Sequence, residues 1–337
     1  MRILAILVEP ANYTLDRVKN IYDPRGIEYV FIKGRSQASG VETRSIDGVV
    51  AVWNLVRSHD AFIINGYTGT ICVLAILMNI LLRKKPMALD SDTELQIPKN
   101  PIKRLAKWMW LHFLFTRKYC YGFAGGNYGH KELFRHYGMS EERIYLAPMM
   151  VDNAKYVRKL PDSPHKHFRF GYLGRLIPLK QVDKIIQALP AGCELHIVGD
   201  GEERVRLEAL AKDKQVIFHG KVFGEEKIEL LHSLDCLVLY SWYESWGLVV
   251  NEALACGIPV IVSDKVGARA DLVSCEKPTG LVAQWDDIND LADKMRKMAM
   301  DRNLWAAISE NARRRMRDWD YSLYAKNFDA WRDAINK

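Results

Sequence analysis

Two glutamates, Glu244 and Glu252, stand with seven residues between them in the segment YSWYESWGLVVNEALACG. A strand-like run, CLVLY, leads into this segment, and Gly247 precedes an apolar helical run that carries Glu252. A loop carboxylate such as Glu244 can accept hydrogen bonds from hydroxyl groups. Free amides at a helix N-terminus favour an anion. The segment therefore predicts a ligand that carries both hydroxyl groups and negative charge.

Glycines and cations in two further turns extend this pattern. In RFGYLGRLIPLKQVDKIIQAL, Gly174, Arg175 and Lys180 lie between a predicted strand and a predicted helix. Glycine permits close approach of a ligand, and the two cations suit a diphosphate. In IVGDGEERVRLEALA, Gly199 and Gly201 open a helix, but the third glycine of a dinucleotide fingerprint is missing. Each turn alone also fits an ordinary surface turn, whereas the two glutamates, the free amides and the pair of cations together indicate a nucleotide sugar.

Alternating strand and helix patterns must position these residues. Short runs rich in Val, Ile, Leu and Phe alternate with helical patterns, which predicts βαβ units and parallel sheets. The polar and Pro-containing segment 148–167 is the predicted linker between two α/β domains with a cleft between them. The predicted strands are 2–8, 28–33, 61–65, 86–90, 121–124, 168–173, 194–198, 216–219, 236–240 and 259–263. The predicted helices of the second half are 182–189, 202–212, 225–233 and 248–256.

Composition excludes several classes of protein. The 337 residues are 49% hydrophobic and 26% charged, which suits two globular domains. Six cysteines without a C-x-x-C pair predict buried thiols of a reducing compartment. The first apolar run fits a buried strand better than a signal peptide, and the run 70–82 is too short to span a bilayer, so it predicts a buried helix that ends on Arg83–Lys85. The charge of +7 comes without a nucleic-acid module, so no nucleic-acid partner is expected.

The C-terminal half resembles the nucleotide-binding domain of retaining GT-B glycosyltransferases, the family of sucrose synthase and many bacterial surface-polysaccharide enzymes. The resemblance runs over 168–295 and is carried, in order, by GYLGRLIPLKQVDKIIQAL, LHIVGDGEERVRLEALA, VIFHGKV, YESWGLVVNEALACGIPVIVSDKVGARADLV and GLVAQWDDINDLADKM. It implies an α/β GT-B fold with two Rossmann-like domains facing each other across a cleft. These are an acceptor-binding domain at 1–160, a nucleotide-sugar-binding domain at 161–320, and a helix at 321–337 that packs back on the first domain.

The resemblance also implies the roles of individual residues. Arg175 and Lys180 would hold the donor diphosphate, Glu252 would bind the nucleotide ribose, and Glu244 would contact the donor sugar. The catalytic residues would be Arg175, Lys180 and Glu244, and the donor-binding residues would be Gly174, Gly199, Ser245, Trp246, Gly247, Leu248 and Glu252. An acid in the first turns of a helix, favoured by the helix dipole, is the other interpretation of Glu252.

The implied reaction is transfer of a hexosyl group with retention at the anomeric carbon, without a metal or other cofactor. A UDP-sugar is favoured over a GDP-sugar as donor, and a saccharide or lipid-linked molecule of bacterial surface-polysaccharide synthesis is the expected acceptor. A donor phosphate oxygen, rather than a protein base, would take the acceptor proton. An epimerase, a phosphorylase or a sugar-nucleotide-binding partner that transfers nothing remain alternatives.

The first half departs from the family pattern in two places. It has EPANYT after its first strand in place of a glycine-rich loop, and MALDSDTE where family members often carry a histidine near the reacting sugar. We expect Asp90 or Asp92 to take the place of that histidine. The same DSD segment resembles a D-x-D metal motif, so a metal-dependent transferase that uses both aspartates is a further alternative.

The segment KNPIKRLAKWMWLHFLFTRKY, 99–119, combines cations with aromatic residues. Such a helix suits the interface of an anionic membrane. We therefore expect a cytoplasmic protein that is peripheral on the inner face of the cytoplasmic membrane. The alternative is a helix partly buried in the first domain, because apolar residues surround its second half rather than forming one stripe. The cations are Lys103, Arg104, Lys107, Arg117 and Lys118, and the aromatic residues are Trp108, Trp110, Phe113 and Phe115.

Overall fold

The computed structural model describes residues 1–32, 46, 48–157 and 164–337. The chain forms two compact units, one of Met1–Met150 with Tyr321–Lys337 and one of Val151–Asp320. The division after Met150 lies ten residues before the predicted domain boundary between 160 and 161. That predicted boundary, part of the predicted linker and the predicted strand end at Lys33 lie outside the described residues.

The first unit is built on a parallel sheet. Its strands are β1 (Ile3–Leu7), β2 (Glu28–Phe31), β3 (Ala61–Asn65), β4 (Met87–Ser91), β5 (Cys120–Ala124) and β6 (Ile144–Leu146). They lie in the order β2-β1-β3-β4-β5-β6, and every neighbouring pair is parallel. Parallel strands need crossover connections, which here are helices, and burial on both faces explains why these strands are apolar runs.

Helices of the first unit cover this sheet. They are α1 (Asn12–Arg17), α2 (Val49–Ser58), α3 (Thr70–Met78), α4 (Pro101–Phe115) and α5 (Gly129–His136). The helices α2 to α5 share one apolar core with the sheet, to which Val52, Ile76, Leu111 and Phe134 each contribute a buried side chain. Asn100 begins α4, because its side chain accepts hydrogen bonds from the amides of the next turn, and Pro101 fits the first helical position.

The end of α3 differs from the prediction of a helix buried along its whole length. A π-helical turn, Asn79–Arg83, follows α3, and Leu81 and Leu82 are exposed. The buried Asn79 amide explains this turn, because its Nδ2 donates to the Lys85 carbonyl at 2.8 Å and its Oδ1 accepts from the Lys85 amide at 3.0 Å. No helix among the described residues has the length and apolarity needed to cross a bilayer.

The second unit has a parallel sheet of its own. Its strands are β7 (Arg169–Leu173), β8 (Glu194–Val198), β9 (Val216–Gly220), β10 (Cys236–Leu239), β11 (Val260–Ser263) and β12 (Gly280–Ala283), in the order β12-β11-β10-β7-β8-β9. Its helices are α6 (Val182–Ala188), α7 (Arg204–Leu210), α8 (Gly224–His232), α9 (Leu248–Ala255), α10 (Ile288–Met300) and α11 (Arg302–Asp318). The strand order reverses beside β7, and the carboxyl ends of strands at such a point are the usual ligand site of α/β sheets.

The cysteines and the last helix complete the fold. Five of the six free cysteines are buried, and burial raises the pKa of Cys72 to about 11 and that of Cys120 to about 12. The final helix, α12 (Tyr321–Ile335), belongs to the first unit. Its buried Trp331 contacts Phe123 of β5 edge-on, with ring centroids 5.1 Å apart.

The contact between Trp331 and Phe123 predicts how much α12 contributes to the stability of the first unit. Trp331→Ala should lower the free energy of unfolding by about 3–5 kcal/mol, because it leaves a cavity between α12 and the sheet. Trp108→Ala, at an exposed tryptophan of the same unit, is the matched control and should cost less than about 1 kcal/mol. Urea unfolding monitored by circular dichroism measures both. Equal losses in the two variants would mean that α12 is not packed as described.

Candidate functional site

The carboxyl ends of three neighbouring strands in the second unit border a cavity of about 410 Å³. Residues 173–175 line it after β7, residues 198–200 after β8, and residues 221–223 after β9. Lys227 of α8 and Leu248, Val249 and Glu252 of α9 complete the lining. Five predicted site residues therefore meet here: Gly174, Arg175, Gly199, Leu248 and Glu252.

Two glycines allow the turns after β7 and β8 to touch backbone to backbone. A Cβ atom at Gly199 would lie 1.8 Å from the Gly174 carbonyl oxygen, and one at Gly201 would lie 2.2 Å from the Leu176 carbonyl oxygen. Hydrogen bonds continue the sheet pairing into these turns, from the Gly174 amide to the Val198 carbonyl and from the Leu176 amide to the Asp200 carbonyl, both at 2.9 Å. No side chain fits between the turns, so the cavity is floored by backbone.

Glu252 lies against two side chains that the sequence analysis did not identify. Lys227 Nζ is 2.7 Å from Glu252 Oε1 and 2.5 Å from Oε2, and the Tyr156 hydroxyl donates to Oε1 at 3.2 Å. Only 8% of Glu252 is exposed, so the lysine compensates a nearly buried charge. Each carboxylate oxygen can accept more than one hydrogen bond, and Glu252 can therefore also bind ligand hydroxyls. Nothing in the pattern of α8 marks Lys227 as a site residue.

Lys180 and Glu244 form an ion pair with each other. Lys180 ends a short 3-10 turn, Pro178–Lys180, just before α6. The backbone holds Glu244, because its amide donates to the Lys265 carbonyl at 3.1 Å and its carbonyl accepts from the Gly267 amide at 2.9 Å. Burial, and next the charge of Glu244, raise the pKa of Tyr172 on β7. The pair lies outside the set of residues that line the cavity.

The segment between the two glutamates has a structural role. Gly247, with φ of 94°, turns the chain into α9, and a Cβ atom there would lie 2.9 Å from a Leu239 methyl group. Trp246 is buried, stacks on Trp319 with centroids 5.7 Å apart, and donates from Nε1 to Asn251 Oδ1 at 2.7 Å. The Trp246 indole is therefore part of the core. Only the backbone of Trp246 can therefore face a ligand. A backbone amide is also the group through which Ser245 is predicted to act.

Asp90 and Asp92 belong to the first unit and differ from each other. Asp90 is buried in an ion pair with Arg17 and accepts a hydrogen bond from Asn65 Nδ2 at 3.1 Å. The Arg17 guanidinium also lies over the ring of Tyr324, 5.5 Å from its centroid. The Asp90 carboxylate therefore has a counter-ion of its own within the first unit, and its action on the donor sugar stays a prediction.

Asp92, like Asp90, lines a cavity of about 590 Å³ in the first unit. Burial, and next the charge of Asp90, raise the pKa of Asp92. Its surroundings include Tyr67 and, from α4, Lys107 and Trp110. The described residues contain no group of three or more His, Cys, Asp or Glu side chains that could hold a metal ion together.

Residues 156–315 match the family model of "Glycosyl transferases group 1". The chain is 34% identical over 143 residues to a GDP-mannose-dependent alpha-mannosyltransferase of Mycobacterium tuberculosis, which covers 42% of this chain and 37% of the relative. It is 25% identical over 188 residues to the capsular polysaccharide biosynthesis glycosyltransferase CapM of Staphylococcus aureus. This match covers 52% of this chain and 48% of the relative. The chain thus spans less than half the length of each of these relatives.

The fold is shared along the whole chain. The crystal structure of Anabaena Alr3699/HepE in complex with UDP superposes with a TM-score of 0.80 at 18% identity, over 99% of this chain and 100% of that one. With the two parallel six-stranded sheets, this likeness identifies the GT-B fold expected from the sequence. The family model and both of these relatives are named as glycosyltransferases.

The Gly199 contact predicts that this site tolerates no side chain. Gly199→Ala should abolish ligand binding in the second-unit cavity and lower the free energy of unfolding by at least about 2 kcal/mol more than the control, because the methyl group overlaps the Gly174 carbonyl. The matched control is Gly192→Ala, which also has a positive φ, of 78°, but meets nothing within 4 Å. Urea unfolding and titration with UDP or GDP measure both variants. Similar behaviour of the two would show that φ alone, and not the backbone contact, requires glycine at 199.

Proposed function

We propose that this protein, whose residues 156–315 match the family model of glycosyl transferases group 1, is a retaining and metal-independent glycosyltransferase. It moves a hexosyl group from a nucleotide diphosphosugar to a saccharide or lipid-linked acceptor in bacterial surface-polysaccharide synthesis. The observation that carries the proposal is the cavity at the ends of β7, β8 and β9, where Glu252 and the cation Arg175 line a floor of backbone. The first unit has the role of the acceptor domain.

The side chains of the second unit divide the donor between them. Glu252, held by Lys227 and Tyr156, accepts hydrogen bonds from the ribose. Arg175 and Lys180 bind the diphosphate and offset the negative charge that grows on it as the sugar leaves. The ion pair between Lys180 and Glu244 supports adjacent roles, because it keeps a phosphate-binding cation and a hydroxyl-binding carboxylate side by side.

The transfer step needs no protein base. The acceptor oxygen forms the new glycosidic bond while the bond from the anomeric carbon to the diphosphate oxygen breaks. A phosphate oxygen of the departing nucleotide takes the acceptor proton, so the products are the glycoside and the nucleotide diphosphate. Retention follows when the acceptor approaches the face that the diphosphate leaves.

UDP is the proposed nucleotide of the donor, with GDP as the competitor. The structurally similar Anabaena protein was crystallised with UDP, whereas the mycobacterial relative is GDP-mannose-dependent. A thermal-shift screen of UDP-, GDP- and ADP-sugars discriminates between them. A ligand at a hundred times its Kd adds about 2.7 kcal/mol of stability. A transfer assay with the best donor, in the presence of EDTA, then distinguishes this function from a metal-dependent transferase and from a protein that only binds the nucleotide sugar.

The division of roles predicts different effects for the two glutamates. Glu252→Gln should weaken binding of the free nucleotide by about tenfold or more, because it removes a charged acceptor from the ribose. Glu244→Gln should leave binding of the free nucleotide unchanged and weaken binding of the complete sugar donor. Glu229→Gln, at an exposed glutamate of α8, is the matched control for loss of one charge. Isothermal titration with UDP and a UDP-sugar measures these affinities, and equal losses for free UDP in both site variants would refute the assignment.

Membrane association is the second part of the proposal, and α4 supports it. Exposed apolar side chains at Ile102, Leu105, Met109 and Phe113 are 77%, 59%, 59% and 39% accessible, and their spacing puts them on one side of the helix. We call this set the α4 stripe. The opposite side carries Leu111, Leu114 and Phe115, which are buried. The structure thus separates the apolar residues of this segment into a buried face and an exposed one.

Cations flank the α4 stripe. Lys103 and Arg104 lie in the first turns, and the Arg117 guanidinium lies 4.0 Å from the ring centroid of Phe113. An exposed apolar stripe with flanking cations fits the surface of a bilayer with anionic headgroups, on the cytoplasmic side in this proposal.

Vesicle binding tests the role of α4. The protein should co-sediment with phosphatidylglycerol vesicles at low salt and less at high salt, since roughly 1 kcal/mol per basic residue is available at an anionic surface. Leu105→Ser with Met109→Ser should weaken binding at both salt concentrations, because it removes apolar contact with the bilayer. The exposed pair Val205→Ser with Leu210→Ser on α7 is the matched control. Absence of binding to anionic vesicles at low salt would exclude the surface.

A further inference from the structure

We propose that the cavity of the first unit binds the phosphate-bearing head group of an amphiphilic acceptor, whose apolar chain lies along the α4 stripe. The inference rests on the proposed function, because it names the class of acceptor that the transferase would use. It assigns the phosphate to Lys107 and a hydroxyl group of the head group to Asp92.

The cavity combines strand ends with one wall made by α4. Residues 65–68 follow from the end of β3, and residues 90–93 from the end of β4. From α4 come Ala106, Lys107, Trp110 and Leu111. Trp110 Nε1 donates to the Tyr67 carbonyl at 3.2 Å, which ties the helix to the turn after β3. With about 590 Å³, this cavity has the volume of a small-molecule site.

Lys107 is a cation without an anionic partner in the described part of the chain. Its Nζ donates to the Gln96 carbonyl at 2.7 Å and lies 5.9 Å from the ring centroid of Tyr137, and both of these groups are neutral. An ammonium group has three N–H donors, so Lys107 can still donate to an anion. Burial alone lowers the pKa of Lys107. A partly desolvated ammonium group gains most from an anion, because the anion restores the charge stabilisation that water no longer provides.

Asp92 supplies the opposite preference within the same cavity. Its half-buried carboxylate forms no ion pair with a lysine or arginine among the described residues, in contrast to Asp90. A carboxylate of this kind accepts hydrogen bonds from hydroxyl groups and repels phosphate. One head group satisfies both side chains when it carries a phosphate at one end and a hydroxyl at the other.

The helix α4 joins this cavity to the α4 stripe. Ala106 lines the cavity and is itself exposed, and it lies one turn from both Ile102 of the stripe and Trp110 of the cavity wall. A molecule whose head group occupies the cavity can therefore continue along the same helix. The stripe extends over roughly 16 Å of helix, at 1.5 Å per residue, which suits an alkyl or prenyl chain. A free saccharide would need neither the lysine nor the stripe.

Geranylgeranyl phosphate is the probe for this site, with geranylgeraniol and inorganic phosphate as its two halves. Isothermal titration below the micelle concentration should show that the complete amphiphile binds at least about tenfold more tightly than either half. Lys107→Gln should weaken binding of geranylgeranyl phosphate by about tenfold and leave that of geranylgeraniol unchanged. Lys103→Gln, at an exposed lysine of the same helix, is the matched control and should change either affinity less than about threefold.

The direction in which a second variant changes the affinity separates a specific site from nonspecific hydrophobic binding. Asp92→Asn should preserve or strengthen binding of geranylgeranyl phosphate, because it removes a negative charge, whereas Leu105→Ser with Met109→Ser should weaken it. No binding of the probe, or equal losses for Lys107→Gln and Lys103→Gln, would overturn the inference. Stabilisation of each variant by UDP-sugar is measured in parallel. Loss of that signal in the wild-type protein contradicts the proposed function, whereas its persistence without probe binding contradicts only the acceptor site.

Discussion

Contact between the backbones at Gly174 and Gly199 is the constraint on which the site of the second unit depends. Neighbouring parallel strands bring their following turns together, and the pairing of β7 with β8 continues past both strand ends. A side chain at Gly199 would push the turns apart, since its Cβ would overlap the Gly174 carbonyl. Without such a side chain, the cavity has a floor of peptide groups, and Arg175 and Glu252 reach it from different elements.

Charge compensation decides which acids stay available to a ligand. Glu244 pairs with Lys180, Glu252 with Lys227, and Asp90 with Arg17. The first two pairs are partly open at the ends of strands, where a ligand can add its own hydrogen bonds. The Arg17 pair is more enclosed, with side-chain exposures of 7% and 4%, which leaves less of the Asp90 carboxylate accessible to a ligand. The acids look equivalent in the sequence, and the degree of burial of each ion pair distinguishes them.

Sequence patterns predicted the strands because parallel strands buried on both faces are continuous apolar runs, as in ILAIL of β1 and CLVL of β10. The predicted bounds of these strands agree with the structure within two residues wherever the chain is described. The strands β6 and β12 were missed, because β6 has only three residues and β12 begins with a glycine, which weakens a strand pattern.

Site residues were predictable where backbone chemistry marks them. The glycines and the spacing of Glu244 and Glu252 locate the loops at the strand ends. These signals are visible in the sequence without knowledge of any tertiary contact. Lys227 and Tyr156 were not predictable, because their role comes from contact with Glu252, which is 25 and 96 residues away in the chain. The pairing of Arg17 with Asp90, 73 residues apart, was hidden for the same reason.

The central claim is that the second unit binds the nucleotide of the donor at the ends of β7, β8 and β9. Hydrogen exchange of the full chain, with and without saturating UDP or GDP, tests it most directly. Protection is expected in peptides that cover 172–176, 198–203, 220–228 and 247–253, because bound nucleotide would order these turns and the start of α9. The peptide that covers 87–93 should exchange as before. Protection confined to the first unit, or none at a saturating concentration of either nucleotide, would contradict the account.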